Sequence, residues 1–318
     1  MDKIGSILVL CSRTSADRVL LDKAIFLARS VQAEIHLFSC DEALARTLRH
    51  SYPIEEAEKA WNICLDEHLD YLRRLRQRAG APGVQISVDA ACRHPLYEGI
   101  CAKLAETPAD LIMKSPSGVH PLRRFAFDAN DWQLMRQCPA TLMLVGERPW
   151  RATPQFAAMV DVSIDVSAAL AQTIIRTSEY LSLACRGEMD VIYSEASADE
   201  GLRSAHSGDL QRLAREYHIQ PGHLHVLDGE PEQTLAPFVA HRHYDAVVLG
   251  GLTHREGLAA LAGSLTSKLV DALETDFILV KRPAAAPDRD LERTGIEAGE
   301  HARHPSGAGV AWNAVFGD

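Results

Sequence analysis

The sequence predicts an α/β protein made of two tandem, doubly wound, five-stranded parallel-sheet domains, and three observations predict it. Apolar runs of strand length alternate with segments of helical period along the chain. The alternation is written twice in the same order. The length of 318 residues suits about two domains rather than one core.

In the first half, residues 7–11 form a continuous apolar run that stops at the polar turn Ser12-Arg13-Thr14-Ser15. Leu20, Leu21, Ala24, Leu27 and Ala28 then fall on one face of a predicted helix over 17–30. Residues 34–39 read as the second strand. A long helix over 54–79 carries the stripe Trp61, Leu65, Leu69, Leu72 and Leu75, and Gly80-Ala81-Pro82-Gly83 stops it. A strand over 84–88, a helix over 96–106, a buried strand over 111–114, a short helix over 131–137 and a fifth strand over 141–145 complete the unit. The second half runs through strands at 157–162, 189–193, 223–227, 246–250 and 277–280. Helices at 167–185, 199–217, 232–242 and 259–273 separate them.

The halves superimpose by eye. Asp110-Leu-Ile-Met-Lys114 matches Asp245-Ala-Val-Val-Leu249, and the run ending at Val145 matches the one ending at Val280. Both pairings share one offset, since 245 minus 110 and 280 minus 145 are each 135. The first strands are offset by 149, so the first repeat is the longer one between its second and third strands. The Pro-bearing connector Gly146-Glu-Arg-Pro-Trp-Arg-Ala-Thr-Pro154 separates a first domain, 1–148, from a second, 154–283. Alternating strands and helices imply right-handed crossovers, and ligands of such sheets lie beyond the carboxyl ends of the strands.

Composition narrows the function classes. A net charge of −10 argues against a nucleic-acid surface, and the basic run Arg73-Arg74-Leu75-Arg76 reads as the solvated face of a helix. The apolar runs are far too short for a membrane span, and the start of the chain carries no leader pattern, so the cytoplasm is expected. Seven cysteines without CxxC spacing read as buried reduced thiols. His223-x-His225 and His241-x-His243 have the look of ligand pairs, but no cysteine or carboxylate pattern accompanies them and no metal site is expected. Neither a nucleophile elbow nor a His-Glu-x-x-His occurs, and the stretch from Gly257 to Ser264 lacks the lysine of a P-loop.

The strand ends of the second half hold the candidate binding residues. Strand one runs out through Asp161 and Val162, and strand four ends at Gly250 followed by Gly251-Leu252-Thr253. The next helix begins near Gly263-Ser264-Leu265-Thr266. A glycine at a strand tip lets a ligand approach the backbone, and a Gly-Ser at a helix start offers free N–H groups to a phosphate. Ordinary capping explains Ser264 or Asp161 taken singly.

Val-Asp-Val-Ser after strand one, the turn Gly229-Glu230-Pro231, the Gly-x2-(Gly)-x9-Gly-Ser stretch and a final Ile-Leu-Val-Lys strand together resemble the universal stress protein family. The Asp-Trp-x-Leu-x-Arg-x-Cys-Pro string at 131–139 resembles the first domain of its E-type tandem members, and the resemblance covers 1–283. It implies the universal-stress, adenine-nucleotide α-hydrolase-like fold and a role in stress survival. It also implies ATP or another adenine nucleotide as ligand, with Asp161 by the base and Gly250, Gly263, Ser264 and Thr266 around ribose and phosphates. Thr253 stands where a second glycine belongs and crowds the loop. The first half has Ser12, Ser115, Asp128 and Ala129 at the matching places, a degenerate site. Domains of this family pair through their last strands, so 141–145 is expected to run antiparallel to 277–280 within the chain, with further self-association open.

Two other readings stand beside a non-enzymatic binder of a small anionic ligand. One is a scaffold with both sites vestigial. The other is a weak nucleotide-hydrolysing enzyme, for which Lys114 is the one lysine at the strand ends. Residues 284–318 lack any apolar periodicity and read as a disordered tail. Deleting them is expected to move the melting temperature by no more than about two degrees, the shift of less than ~1 kcal/mol. A larger drop in a thermal melt would mean that the tail docks.

Overall fold

Ten strands join into one sheet in the order β3-β2-β1-β4-β5-β10-β9-β6-β7-β8. The computed structural model describes residues 3–51, 54–116, 129–138, 140–163, 168–250, 268–269 and 272–281. The first half contributes β1 (Ser6–Leu10), α1 (Ala16–Val31), β2 (Glu34–Cys40), α2 (Glu42–Ser51) and α3 (Ile54–Ala79). It continues through β3 (Ile86–Ala91), α4 (Leu96–Glu106), β4 (Leu111–Lys114), α5 (Ala129–Gln137) and β5 (Thr141–Leu144). The second half contributes β6 (Gln155–Met159), α6 (Ala168–Ala184), β7 (Glu188–Glu195), α7 (Glu200–Glu216) and β8 (Leu224–Asp228). Helix α8 (Pro231–Arg242), β9 (Ala246–Gly250) and β10 (Asp276–Val280) follow.

Within each half every described pairing is parallel, as crossover helices require. Between the halves β5 and β10 run antiparallel, with Phe277 opposite Leu144, Ile278 opposite Met143 and Leu279 opposite Leu142. The expected last-strand pairing is therefore present, and it covers two apolar edges that would otherwise invite aggregation. The internal repeat is geometric as well. Ile7 pairs with Leu111 and Phe156 with Ala246, which reproduces both offsets, 149 for the first strands and 135 for the fourth.

The sequence places several strand ends one to three residues away from where they fall, because backbone pairing and not hydropathy sets them. Helix α2 was not expected: its ten residues are polar enough to read as a loop. Together with α3, which is longer than α7, it accounts for the greater length of the first repeat between its second and third strands. Of the expected helix at 259–273, most lies outside the described residues, as does the tail.

The repeated aspartate of Asp110 and Asp245 is a structural pin. Asp110 Oδ2 accepts the Gly5 and Ser6 N–H groups at 2.8 and 3.1 Å, and Asp245 Oδ2 accepts the Gln155 N–H at 2.9 Å. Each carboxylate thus ties the start of its half's first strand to the neighbouring fourth strand. Two apolar clusters, one on each face of the sheet, both draw residues from both halves.

Candidate functional site

In each half the strand order reverses between the first and fourth strands, β1 with β4 and β6 with β9, and ligands of such sheets bind at the carboxyl edge there. In the second half β6 ends at Met159, so Asp161 lies just past the strand. Asp161 is exposed, and its Oδ1 accepts the Ser163 N–H at 2.9 Å and the Ser163 hydroxyl at 2.6 Å. This is a local turn and not the cap of α6, which starts seven residues on. Val162 is half-buried against the core. Gly250 closes β9 opposite Val280. A Cβ there would lie 2.6 Å from Leu170 Cδ2 on α6, so the glycine has a packing reason. The structure brings Asp161, Val162 and Gly250 to one edge. Thr253, Gly263, Ser264, Leu265 and Thr266 lie outside the described residues.

The first half answers the degenerate site in a different way from the one read in the sequence, where Asp128 was the repelling charge; Asp128 lies outside the described residues. Here the buried carboxylate of Asp17 occupies the loop after β1. It accepts the Ser12 N–H at 3.1 Å, the Arg13 N–H at 2.8 Å and the Tyr71 hydroxyl at 2.8 Å. Lys114 is buried at the end of β4 and paired with the buried Asp131 of α5. A phosphate entering this crevice would meet loop donors already held by a carboxylate and a lysine already neutralised. A cavity of about 290 Å³ remains, lined among others by Ser12, Arg13, Asp41, His68 and Lys114.

Beside that cavity sits a cluster that the sequence reading missed. Asp41 follows β2, and Cys64 and His68 lie one turn apart on α3. Their donor atoms all fall within 4.8 Å of one another. Cys64 Sγ is 3.6 Å from Asp41 Oδ2, and Cys92 Sγ is 3.7 Å from Cys64 Sγ. Burial raises both thiols above their ordinary pKa. It also acts to raise Asp41, but the Leu44 N–H and Cys64 hydrogen bonds pull the other way and that carboxyl lies below the usual range. The Cys64-x3-His68 spacing was the legible signal; the expectation of seven simply buried thiols passed over it. Cys40, Cys64 and Cys101 are in fact half-buried.

The expectation for His223 and His225 also needs correcting, since a carboxylate does accompany them. Asp190 of β7 meets His223 Nδ1 at 2.7 Å and His225 Nε2 at 3.2 Å, and accepts the Tyr244 hydroxyl at 2.5 Å. Burial tends to raise Asp190, and the Tyr244 and His223 hydrogen bonds overcome it and lower its pKa. At the other end of β7, His206 Nδ1 lies 2.9 Å from Glu195 Oε2. Trp61, expected in the core, is only half-buried.

Comparison with known proteins agrees with this architecture. Residues 3–146 match the model of the universal stress protein family. The chain is similar to the universal stress protein E homolog of Haemophilus influenzae, 22% identical over 250 residues that span 71% of this chain and 80% of that one. It is also similar to universal stress protein E of Photorhabdus laumondii, 20% identical over 88% of this chain and 96% of the relative. A solved protein of unknown function from Pseudomonas aeruginosa superimposes with a TM-score of 0.68 at 22% identity, covering 88% of this chain and 93% of that one. A universal stress protein from Archaeoglobus fulgidus gives 0.66 at 12% identity, over 89% and 98%. No helix among the described residues is long and apolar enough to cross a membrane. Residues 3–146 thus carry a universal stress protein domain, and the chain as a whole is similar along most of its length to the proteins named universal stress protein E.

Proposed function

We propose that this chain is a cytoplasmic, non-enzymatic stress-response protein that holds one adenine nucleotide or related anionic ligand in its second half. One observation supports the reading above the others: the two carboxyl edges are unequal. Past β6 the exposed carboxylate of Asp161 stands at the same edge as Gly250, the last residue of the neighbouring β9. At β1 and β4 the loop donors serve Asp17 and the lysine serves Asp131.

Calorimetric titration with ATP of the wild type, Gly263→Asp and Asp128→Gly tests this. At most one ATP per chain is expected. Gly263→Asp should weaken it about fivefold or more, because a unit charge ~4 Å from a phosphate costs about 1–4 kcal/mol. Binding unchanged in Gly263→Asp, or two equal sites, would refute the assignment to the second half. Mass spectrometry of molecules released from freshly purified protein addresses the scaffold reading. That reading gains if no nucleotide is released and none binds.

A further inference from the structure

We propose that the first half binds one zinc-type divalent ion through Asp41, Cys64 and His68, in the wall of the cavity beyond β1, β2 and β4. Ser39 Oγ donates its one hydrogen to the Cys11 carbonyl at 3.0 Å, so toward His68 Nδ1, 2.7 Å away, it acts as acceptor. Nδ1 therefore carries the imidazole hydrogen and Nε2 carries a bare lone pair. His68 is about 5% exposed, and its Nε2 has no hydrogen-bond partner. What Nε2 faces, at 3.4 Å, is Asp41 Oδ2. Two lone pairs directed at each other in a buried place repel unless a cation lies between them. Such a cation can be a proton on the ring or a metal ion.

The donor set and its spacing fit a metal ion instead. Ligands about 2.0–2.3 Å from a tetrahedral zinc lie about 3.3–3.8 Å from one another. The carboxylate oxygen stands 3.4 Å from the ring nitrogen and 3.6 Å from the Cys64 sulfur. A thiolate, an imidazole and a carboxylate are donors zinc accepts, and the Ser39 hydroxyl holds the other imidazole nitrogen as a hydrogen-bond acceptor does for a ligand histidine. Two of the donors sit at i and i+4 on α3, which fixes their spacing before any ion arrives. Asp41 is also held, by the Leu44 N–H at 2.7 Å. Three protein donors leave a fourth position, next to Cys92 and to the cavity that Asp41 and His68 line. On binding, the Cys64 thiol gives its proton to solvent and its sulfur bonds the metal; nothing is oxidised.

The second half supplies an internal contrast. There His206 Nδ1 meets Glu195 at 2.9 Å and Tyr193 at 3.1 Å. His225 Nε2 faces Asp190 Oδ2 at 3.2 Å without a hydrogen-bond partner, but among the described residues neither histidine gathers three close metal-ligating donors.

The test uses the full chain, stripped with a chelator under reducing conditions and titrated with Co²⁺, which gives tetrahedral thiolate sites visible absorption. One cobalt per chain is expected, with a thiolate-to-cobalt charge-transfer band that Zn²⁺ displaces. Cys64→Ser should abolish the band and weaken the ion at least a hundredfold while the thermal melt stays cooperative. Ser39→Ala, which touches no metal, should weaken it about tenfold to a hundredfold by releasing the ring. Cys101→Ser should leave it unchanged. Absence of the band in the folded wild type would overturn the proposal, as would a band that survives Cys64→Ser. So would a Cys64–Cys92 disulfide in freshly isolated, metal-free protein.

Discussion

Replacing Asp276 with alanine is expected to cost about 3–5 kcal/mol of folding free energy, because it strands a buried lysine. Asp276 opens β10 with 2% exposure. Its carboxylate accepts the Lys23 ammonium on both oxygens at 2.8 Å, the Gly146 N–H at 2.8 Å and the Trp150 indole N–H at 2.7 Å. Those donors come from α1, from the connector and from a tryptophan packed edge-on against Phe26 and Phe156. One side chain thus ties together the first half, the connector and the second half. Burial raises its pKa to about 6 and the Lys23 charge pulls the other way; Lys23 itself is lowered, by burial first.

Lys23→Met should be milder than Asp276→Ala, since the carboxyl keeps two N–H donors and can take up a proton. Its deficit should depend on pH. Without the ammonium the carboxyl moves further above its unfolded value. The stability it contributes is then present below the ordinary carboxylate range and lost as pH rises through 6 and beyond. Urea unfolding of both variants at pH 5 and pH 8 checks this. An Asp276→Ala loss below about 1 kcal/mol, or a Lys23→Met deficit that shrinks with rising pH, would refute it.

What could be read from the sequence was whatever has a period. Strands such as Ala246–Gly250 and the helices Ile54–Ala79 and Leu96–Glu106 were legible to the residue, because a buried face imposes its spacing on neighbouring residues. The β5–β10 pairing was legible through the family resemblance and through two apolar edges that needed cover. Asp110 and Asp245 were visible as a repeated residue, though not as pins on a first strand some ninety or more positions away. The Lys23–Asp276 pair spans 253 positions and leaves no local trace. Asp41, Cys64 and His68 come from a strand end and one helix face, so only the i, i+4 half of the cluster was written in the spacing. Asp17 reads as an ordinary first-turn acid; nothing in its neighbourhood announces that it closes the loop after β1.

Ile278→Ala is expected to loosen both halves at once, by about 2–5 kcal/mol. Ile278 is fully buried in β10, between Met143 of β5 and Val248 of β9. Its cluster runs from Ile7 and Met113 in the first half to Phe156 and Val248 in the second. A cavity here therefore removes contacts that neither half can replace alone. Unfolding one half by itself would expose the backbone edge of β5 or β10 and open the apolar clusters on both faces, a state with no compensating contact. Native-state hydrogen exchange reads this directly. A loss of ~3 kcal/mol corresponds to roughly hundredfold faster exchange at amides that open only globally, and those of β1 should accelerate as much as those of β6. Val226→Ala, at an exposed position of the edge strand β8, should leave the β1 amides unmoved. Acceleration confined to β6–β9 in Ile278→Ala would mean that the halves unfold separately. The shared sheet would then be a contact between two independent units and not their common core.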